Sequence, residues 1–343
     1  TNTQEEDTNK AGEWLADGFY AVLFALLGDL DYFAGPLRLP RWSSLNPCPA
    51  CPCGSAGEFA WNDFRIDAAW IARTWTSLAW SAWPGRSQCP LFRLPGVTAL
   101  TVMLDWMHTK YLGVDQYMFG SVMYVLMFFV LPKAPIDNLK DCWIFIKAYY
   151  QREHTPHRYR YLNKLTMFVR KAGGPKLRGR AAEIRHFGGP LLALWEQCMK
   201  PDREVHRQIR LMLKLNVSME GIMNTYSHSF RLPAEEAEKV KNSAFVMAQM
   251  QQQLADFFED EFEGLHLFSV TTKMHLLLHI AFDSRFIHPK LTWCFSGEDQ
   301  QHRVQTLAKA SVKGNTPASA SCKMARRTRV GLHCIFNKLE EEA

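Results

Sequence analysis

Gly18-Phe-Tyr-Ala-Val-Leu-Phe-Ala-Leu-Leu27 is a continuous apolar run closed by Gly28-Asp29. Such a run, ending in a turn residue and an acid, has the pattern of a strand buried on both faces that delivers a carboxylate at its end; a buried helix is the alternative. Thr98-Ala-Leu-Thr-Val-Met-Leu104 repeats the pattern and ends at Asp105, with a helix expected to begin near Asp115. Two strand-then-acid units place the chain in the α/β class. Between them, residues 34 to 97 hold 13 prolines or glycines and six of the eleven tryptophans, so this region needs a pin other than regular secondary structure, and a metal would serve.

Beyond residue 115 the apolar spacing turns helical. Stretches at 116 to 131, 138 to 151, 181 to 199, 203 to 230 and 234 to 262 are separated by Pro or Gly-Gly breaks. The expected organisation is a partial α/β core with a Cys-rich loop region over 1–114, a helical insertion over 115–283, and a C-terminal helix with a basic tail over 284–343. The longest apolar run is taken as Val122 to Leu131, which ends at Pro132, is too short to span a membrane and reads as a buried helix. The acidic run Asp256, Glu259, Asp260, Glu261 and Glu263 reads as a solvated helix end.

Composition sets the outer limits. The 343 residues are 47% hydrophobic and 22% charged, enough for one large core or two smaller ones. Nine scattered cysteines do not form the dense, even framework of a small secreted domain, and the opening residues lack a basic and an apolar signal region. The expected location is nuclear or cytoplasmic, not secreted, and the start reads as a truncation. The net charge of +6 is a mild bias toward a polyanion, but its distribution is sharper. Residues 152 to 180 carry nine Lys or Arg, among them Arg158, Arg160, Lys164, Arg170, Lys171, Arg178 and Arg180, against Glu153 alone. Charge this concentrated attracts phosphate, and the interleaved Tyr159 and Tyr161 offer faces on which an unpaired base can stack; a solvated basic face is the plain alternative.

Two pairs have metal-ligand spacing. Cys48-Pro-Ala-Cys51 supplies two thiolates from one turn, and His275-Leu-Leu-Leu-His279 turns two imidazoles to one side of a helix, together a tetrahedral Cys₂His₂ zinc set. A free thiol pair, with Cys53 as a spare thiol, and two packed helix histidines are the alternatives. Leu276 stands where a zinc protease would carry its general-base Glu, and no Gly-Lys-Ser/Thr phosphate loop is present, so neither a metalloprotease nor a nucleotide cofactor is expected.

Read in order, Gly28-Asp29, Cys48-x-x-Cys51, Asp105-Trp-Met-His108 with Gly113, Lys273-Met-His275 to His279, and Phe-Ser-Gly-Glu298 resemble the catalytic core of a CACTA (En/Spm-like) cut-and-paste DNA transposase. The resemblance implies a ribonuclease-H-like sheet, here truncated on its N-terminal side, with a large all-helical insertion. It also implies Asp29, Glu298 and, less directly, Asp105 as the acids that hold catalytic Mg²⁺ or Mn²⁺, with zinc as a structural ion. Asp29 matches the family's second acid, and no residue ahead of it fills the place of the first. The expectation is therefore a transposase-derived protein whose intact relatives cut and rejoin DNA, itself inactive. Its expected partners are DNA and a second copy of the chain, with no membrane. The rival reading is a non-catalytic nucleic-acid-binding or structural zinc protein. Asp31, Asp299 and an N-cap role for Asp105 compete with the site assignments.

Overall fold

A computed structural model of the chain describes residues 23–312 and 316–342. The chain divides into two compact units, one ending at Thr292 and one from Trp293 to Ala343. In the first, two short helices, α1 (Leu30–Ala34) and α2 (Ser77–Ala82), sit in the loop-rich region. A helical body follows: α3 (Gln116–Val125), entered through π-helical Met107–Asp115 and left through Leu126–Val130, then α4 (Pro135–Arg152), α5 (Ala181–Arg185), α6 (Gly188–Cys198), α7 (Glu204–Thr225), α8 (Ala234–Glu261) and α9 (Thr272–Asp283). The second unit contains α10 (Phe295–Val312) packed on α11 (Pro317–Glu342).

The expected α/β class is overturned. The protein is 59% helical, and no strand or sheet, ribonuclease-H-like or other, occurs among the described residues. Residues 18–22 of the first apolar run lie outside the described residues; from Leu23 to Asp29 the chain is irregular and enters a ladder only at the Leu26 bridge. In the second run, Thr98 caps a single 3₁₀ turn, Ala99–Thr101, whose Thr101 side chain returns to the Thr98 backbone. Among the described residues the runs meet only at one parallel bridge, Leu26 to Val102, through Leu26 N–H to Thr101 O (2.7 Å) and Met103 N–H to Leu26 O (3.1 Å). A strand requires repeated pairing, and Leu23, Phe24 and Leu27 remain exposed instead of covered by a neighbour. The helical stretches therefore form the body itself and are not an insertion into a sheet.

The helices follow the expected spans except that the first starts about nine residues before Asp115 at Trp106, the 181–199 stretch is two helices, α5 and α6, and the 203–230 stretch ends at Thr225. Met107–Val130 is the one described stretch long and apolar enough to cross a membrane, and most of its apolar window is buried inside this protein. Its early turns are π-helical because Lys273 inserts there: Nζ donates to the carbonyls of His108 (2.8 Å) and Leu112 (3.0 Å), and Leu112 leaves helical geometry at φ −88°, ψ 19°. Gly113 makes room, since a Cβ there would lie 2.4 Å from Lys273 Cδ. Further along, Gly120 lets the backbone of Lys176 and Leu177 approach to within 2.8 Å of where its Cβ would stand, and Leu177 N–H donates to Gln116 O at 2.8 Å.

Helices α7 and α8 pack side by side, and α9 lies between α8 and the π-helical segment. All residues of α9 from Met274 to Ala281 are buried, as expected of a helix apolar on every side, so any polar group on it must find its partner inside the protein. His275 and His279 are those groups.

Candidate metal centre and acid pair

The Cys-rich loop is folded against α9. Ala50 N–H donates to Cys48 Sγ at 3.3 Å, which closes the Cys-Pro-Ala-Cys turn and turns both sulfurs inward. Trp75 N–H ties to Ala50 O at 2.9 Å, and Asn46 Nδ2 holds the Cys53 carbonyl at 3.2 Å. On α9, one turn separates His275 from His279 and sets both rings on one face. The Cys51 sulfur stands 3.3 Å from His275 Nε2 and 3.4 Å from His279 Nε2, and the two Nε2 atoms are 3.1 Å apart.

Ligand atoms of Cys48, Cys51, His275 and His279 all lie within 4.8 Å of one another, and all four residues are buried. Tetrahedral zinc with its usual bond lengths separates sulfur from nitrogen by about 3.5 Å and nitrogen from nitrogen by about 3.3 Å. The spacings among Cys51, His275 and His279 are within a few tenths of an ångström of those edges, and Cys48 lies within 4.8 Å of them, so the cluster can hold a metal such as zinc. Trp70 seals it, with its ring centre 4.4 Å from that of His275 and 4.8 Å from that of His279, and its Nε1 donating to Asp63 O at 2.8 Å. His275 Nδ1 is buried without a hydrogen-bond partner, so Nε2 is the ring's polar anchor.

Burial pushes the Cys48 thiol well up, helped by its hydrogen bonds to Cys51 and Cys53. Cys51 is pulled down by Cys48 but raised overall by its hydrogen bond to Cys53 and by burial. Cys53 moves the other way: hydrogen bonds from Cys48 and Cys51 lower it against the cost of burial, with His275 adding to the effect. Burial and the neighbouring His275 hold His279 well below the usual imidazole range. Metal binding at Cys48 and Cys51 would have to displace the protons that burial favours on these two thiols, so it would release protons.

Comparison with protein-family models, with curated proteins and with solved structures gave no match. The site is thus read from its own chemistry.

The three acids are placed differently. Asp29 caps α1, its Oδ1 accepting from Tyr32 N–H at 2.7 Å. Asp105 is buried and caps the helix that follows, with Oδ1 accepting from Met107 N–H and Oδ2 from His108 N–H, each at 3.0 Å, and Oδ2 in short contact with His108 Nδ1. Glu298 lies on α10 in the second unit, and its side chain is outside the described residues. Asp29 and Asp105 each follow the Leu26–Val102 bridge by three residues; because the bridge is parallel, both leave it in the same direction. Both also act on one amine. Burial brings Lys273 down to about 8, Lys176 adds to the shift, and Asp105, Asp29 and Asp31 oppose it.

In the basic block, Arg158, Arg160, Lys164, Lys171, Arg178 and Arg180 are exposed, while Arg170 is half-buried with Nε on Gly174 O at 2.7 Å. A groove of about 490 Å³ is lined by Arg160, Tyr161, Lys164, Arg178, Arg180 and Glu183, among others. Glu183 is engaged locally, accepting from Arg180 N–H at 2.8 Å. Tyr161 is 61% exposed, as a stacking platform must be, but Tyr159 is 4% exposed and its hydroxyl donates to Arg178 O at 2.9 Å. Tyr159 is thus a core residue that shapes the groove, not a face for a base.

Sequence reading did not find the buried charge network below α3. Lys110 is fully buried between Asp115 (2.8 Å) and Glu220 (3.0 Å), and Asn216 Nδ2 donates to Asp115 at 2.7 Å. Tyr111 donates to Glu220 at 3.0 Å, and Arg185 lies 3.4 Å from the same carboxylate. Lysine and aspartate five apart in a predominantly apolar helix were the available signal; Glu220, 105 residues beyond Asp115, gave none.

Proposed function

We propose that the protein is a transposase-derived, zinc-stapled DNA-binding protein. The observation that carries the reading is the convergence of two ligand pairs, Cys51 and His275 being 224 residues apart in sequence, on one buried point. Those pairs are two of the motifs through which the chain resembles CACTA transposases. Zinc at Cys48, Cys51, His275 and His279 pins the loop-rich region to α9, a structural role, because all four positions are protein ligands and none is left open to substrate. The groove around Arg160, Lys164, Arg178 and Arg180, with Tyr161 exposed on it, supports DNA as the partner.

A second reading, cleavage of DNA with Mg²⁺ or Mn²⁺, is favoured by the parallel exit of Asp29 and Asp105 from the Leu26–Val102 bridge. Hard carboxylate oxygens suit such ions, which would activate the attacking oxygen and stabilise the leaving one.

The test is metal analysis of the purified protein together with oligonucleotide binding from 50 to 200 mM salt. One equivalent of zinc and affinity falling with a steep log–log salt slope are expected. Absence of bound zinc, or salt-independent binding, would refute the first reading. Nicking with Mn²⁺ that is lost in Asp29→Ala, Asp105→Ala would establish the second.

A further inference from the structure

The end of α4 builds a second pocket beside the basic groove. Trp143, Lys147, Tyr150 and Gln151, at i, i+4, i+7 and i+8, share one face of the helix. The helix stops at Arg152, and Thr155 N–H returns to Tyr150 O at 3.1 Å. His154 and His157, at φ 48° and 45°, then turn the chain so that Arg158 and Arg160 line the same pocket, of about 290 Å³. No carboxylate among the described residues lines it, so its three cations are uncompensated there. Its wall is aromatic. Trp143 is half-buried, with the Tyr150 ring edge-on to it at 6.4 Å between centres and Lys147 Nζ 5.8 Å from its ring centre. Tyr150 is 1% exposed, and its hydroxyl is buried without a hydrogen-bond partner. The Tyr159 backbone N–H acts on that oxygen as a donor only, so the hydroxyl proton lacks an acceptor. Such a group costs stability unless a ligand supplies what the fold does not.

We propose that this pocket takes one unpaired nucleotide, its base against Trp143 with an acceptor edge on the Tyr150 hydroxyl and its phosphate on Arg158 and Arg160. The inference rests on the DNA reading above and narrows the substrate class to DNA that carries an unpaired nucleotide. Tyr159 and Arg160 line both this pocket and the groove of Lys164, Arg178 and Arg180, so a strand lying in the groove reaches the pocket by turning one nucleotide out. Cations on phosphates hold any strand, whereas an aromatic face adds affinity only for a base free of its own stack. The pocket is also much smaller than the groove of about 490 Å³, which suits a single nucleotide and not a run of strand.

The experiment measures binding of the full chain, by fluorescence anisotropy at fixed salt, to three labelled duplexes: fully paired, with a one-nucleotide bulge, and with an abasic bulge at the same place. The bulged duplex is expected to bind about tenfold tighter than the paired one, and the abasic bulge like the paired one. Trp143→Ala should abolish the gain. Tyr150→Phe should cut it about threefold while melting no lower than the unmodified protein, since the hydroxyl it removes has no partner in the fold. That variant removes a single oxygen and keeps the test decisive where Trp143→Ala fails to fold. Equal affinity for paired and bulged DNA, or a gain that survives Tyr150→Phe undiminished, would overturn the pocket and leave the DNA reading standing. Failure to bind any of the three duplexes would instead overturn the DNA reading on which it depends.

Discussion

Removing the metal should lower the stability of the first unit by an amount that follows from where the ligands sit in the chain. Zinc joins Cys51 to His275, so it closes a loop of 224 residues in the unfolded state. Treated as a cross-link, closure of that length is worth about 5 kcal/mol at room temperature. The adjacent cysteines can hold the ion weakly in the unfolded chain, so the long-range link is the part lost. Spread over the 292-residue unit, about 5 kcal/mol corresponds to a fall in Tm of about 8 °C. The assay is thermal unfolding by circular dichroism before and after chelation, with zinc added back. A His275→Leu, His279→Leu variant fills the same space without offering a donor, so it should melt with the chelated protein and ignore added zinc. If the chelated, metal-free protein melts within about 2 °C of the loaded one, the cross-link reasoning is wrong.

Lys110→Met should destabilise the protein by about 3–5 kcal/mol in urea unfolding, because it strands the buried Asp115 and Glu220 carboxylates; adding Asp115→Asn and Glu220→Gln should restore most of the loss. Tyr161→Ala should weaken binding of single-stranded oligonucleotides about tenfold with unchanged Tm, whereas Tyr159→Ala should lower Tm; the reverse pattern would remove the groove from the binding surface. Acid should destabilise the fold over a defined window. Burial holds His186 and His288 at about 4, below the 6.5 of an unperturbed imidazole, so the unfolded chain takes up protons first as pH falls. The histidine contribution is then intact above pH 6.5 and lost between 6.5 and about 4. Tm at pH 5 should lie below that at pH 7.5, and replacing both histidines with Gln should shrink the difference; an equal difference in the variant would refute the assignment.

How much of this was legible in the sequence depended on the range of the interaction behind each feature. Cys48-x-x-Cys51 and His275-x-x-x-His279 were readable because each pair is set by one turn of backbone, and helices α4 to α8 because apolar spacing repeats every three to four residues. The exposed acidic end of α8 was readable for the same reason. The two apolar runs were misread as sheet because an apolar stretch specifies burial or extension, not a pairing partner, and among the described residues only Leu26 and Val102 find each other.

The sequence by itself determined the ligand pairs, the helical periodicity and the concentration of positive charge, all properties of neighbours along the chain. Only the tertiary structure decided that the pairs meet, that Tyr159 is buried while Tyr161 is exposed, and that Lys110 lies between Asp115 and Glu220. Each of those is a contact between residues brought together by packing, where the cost of burying a polar group selects the partner and no local pattern records the choice.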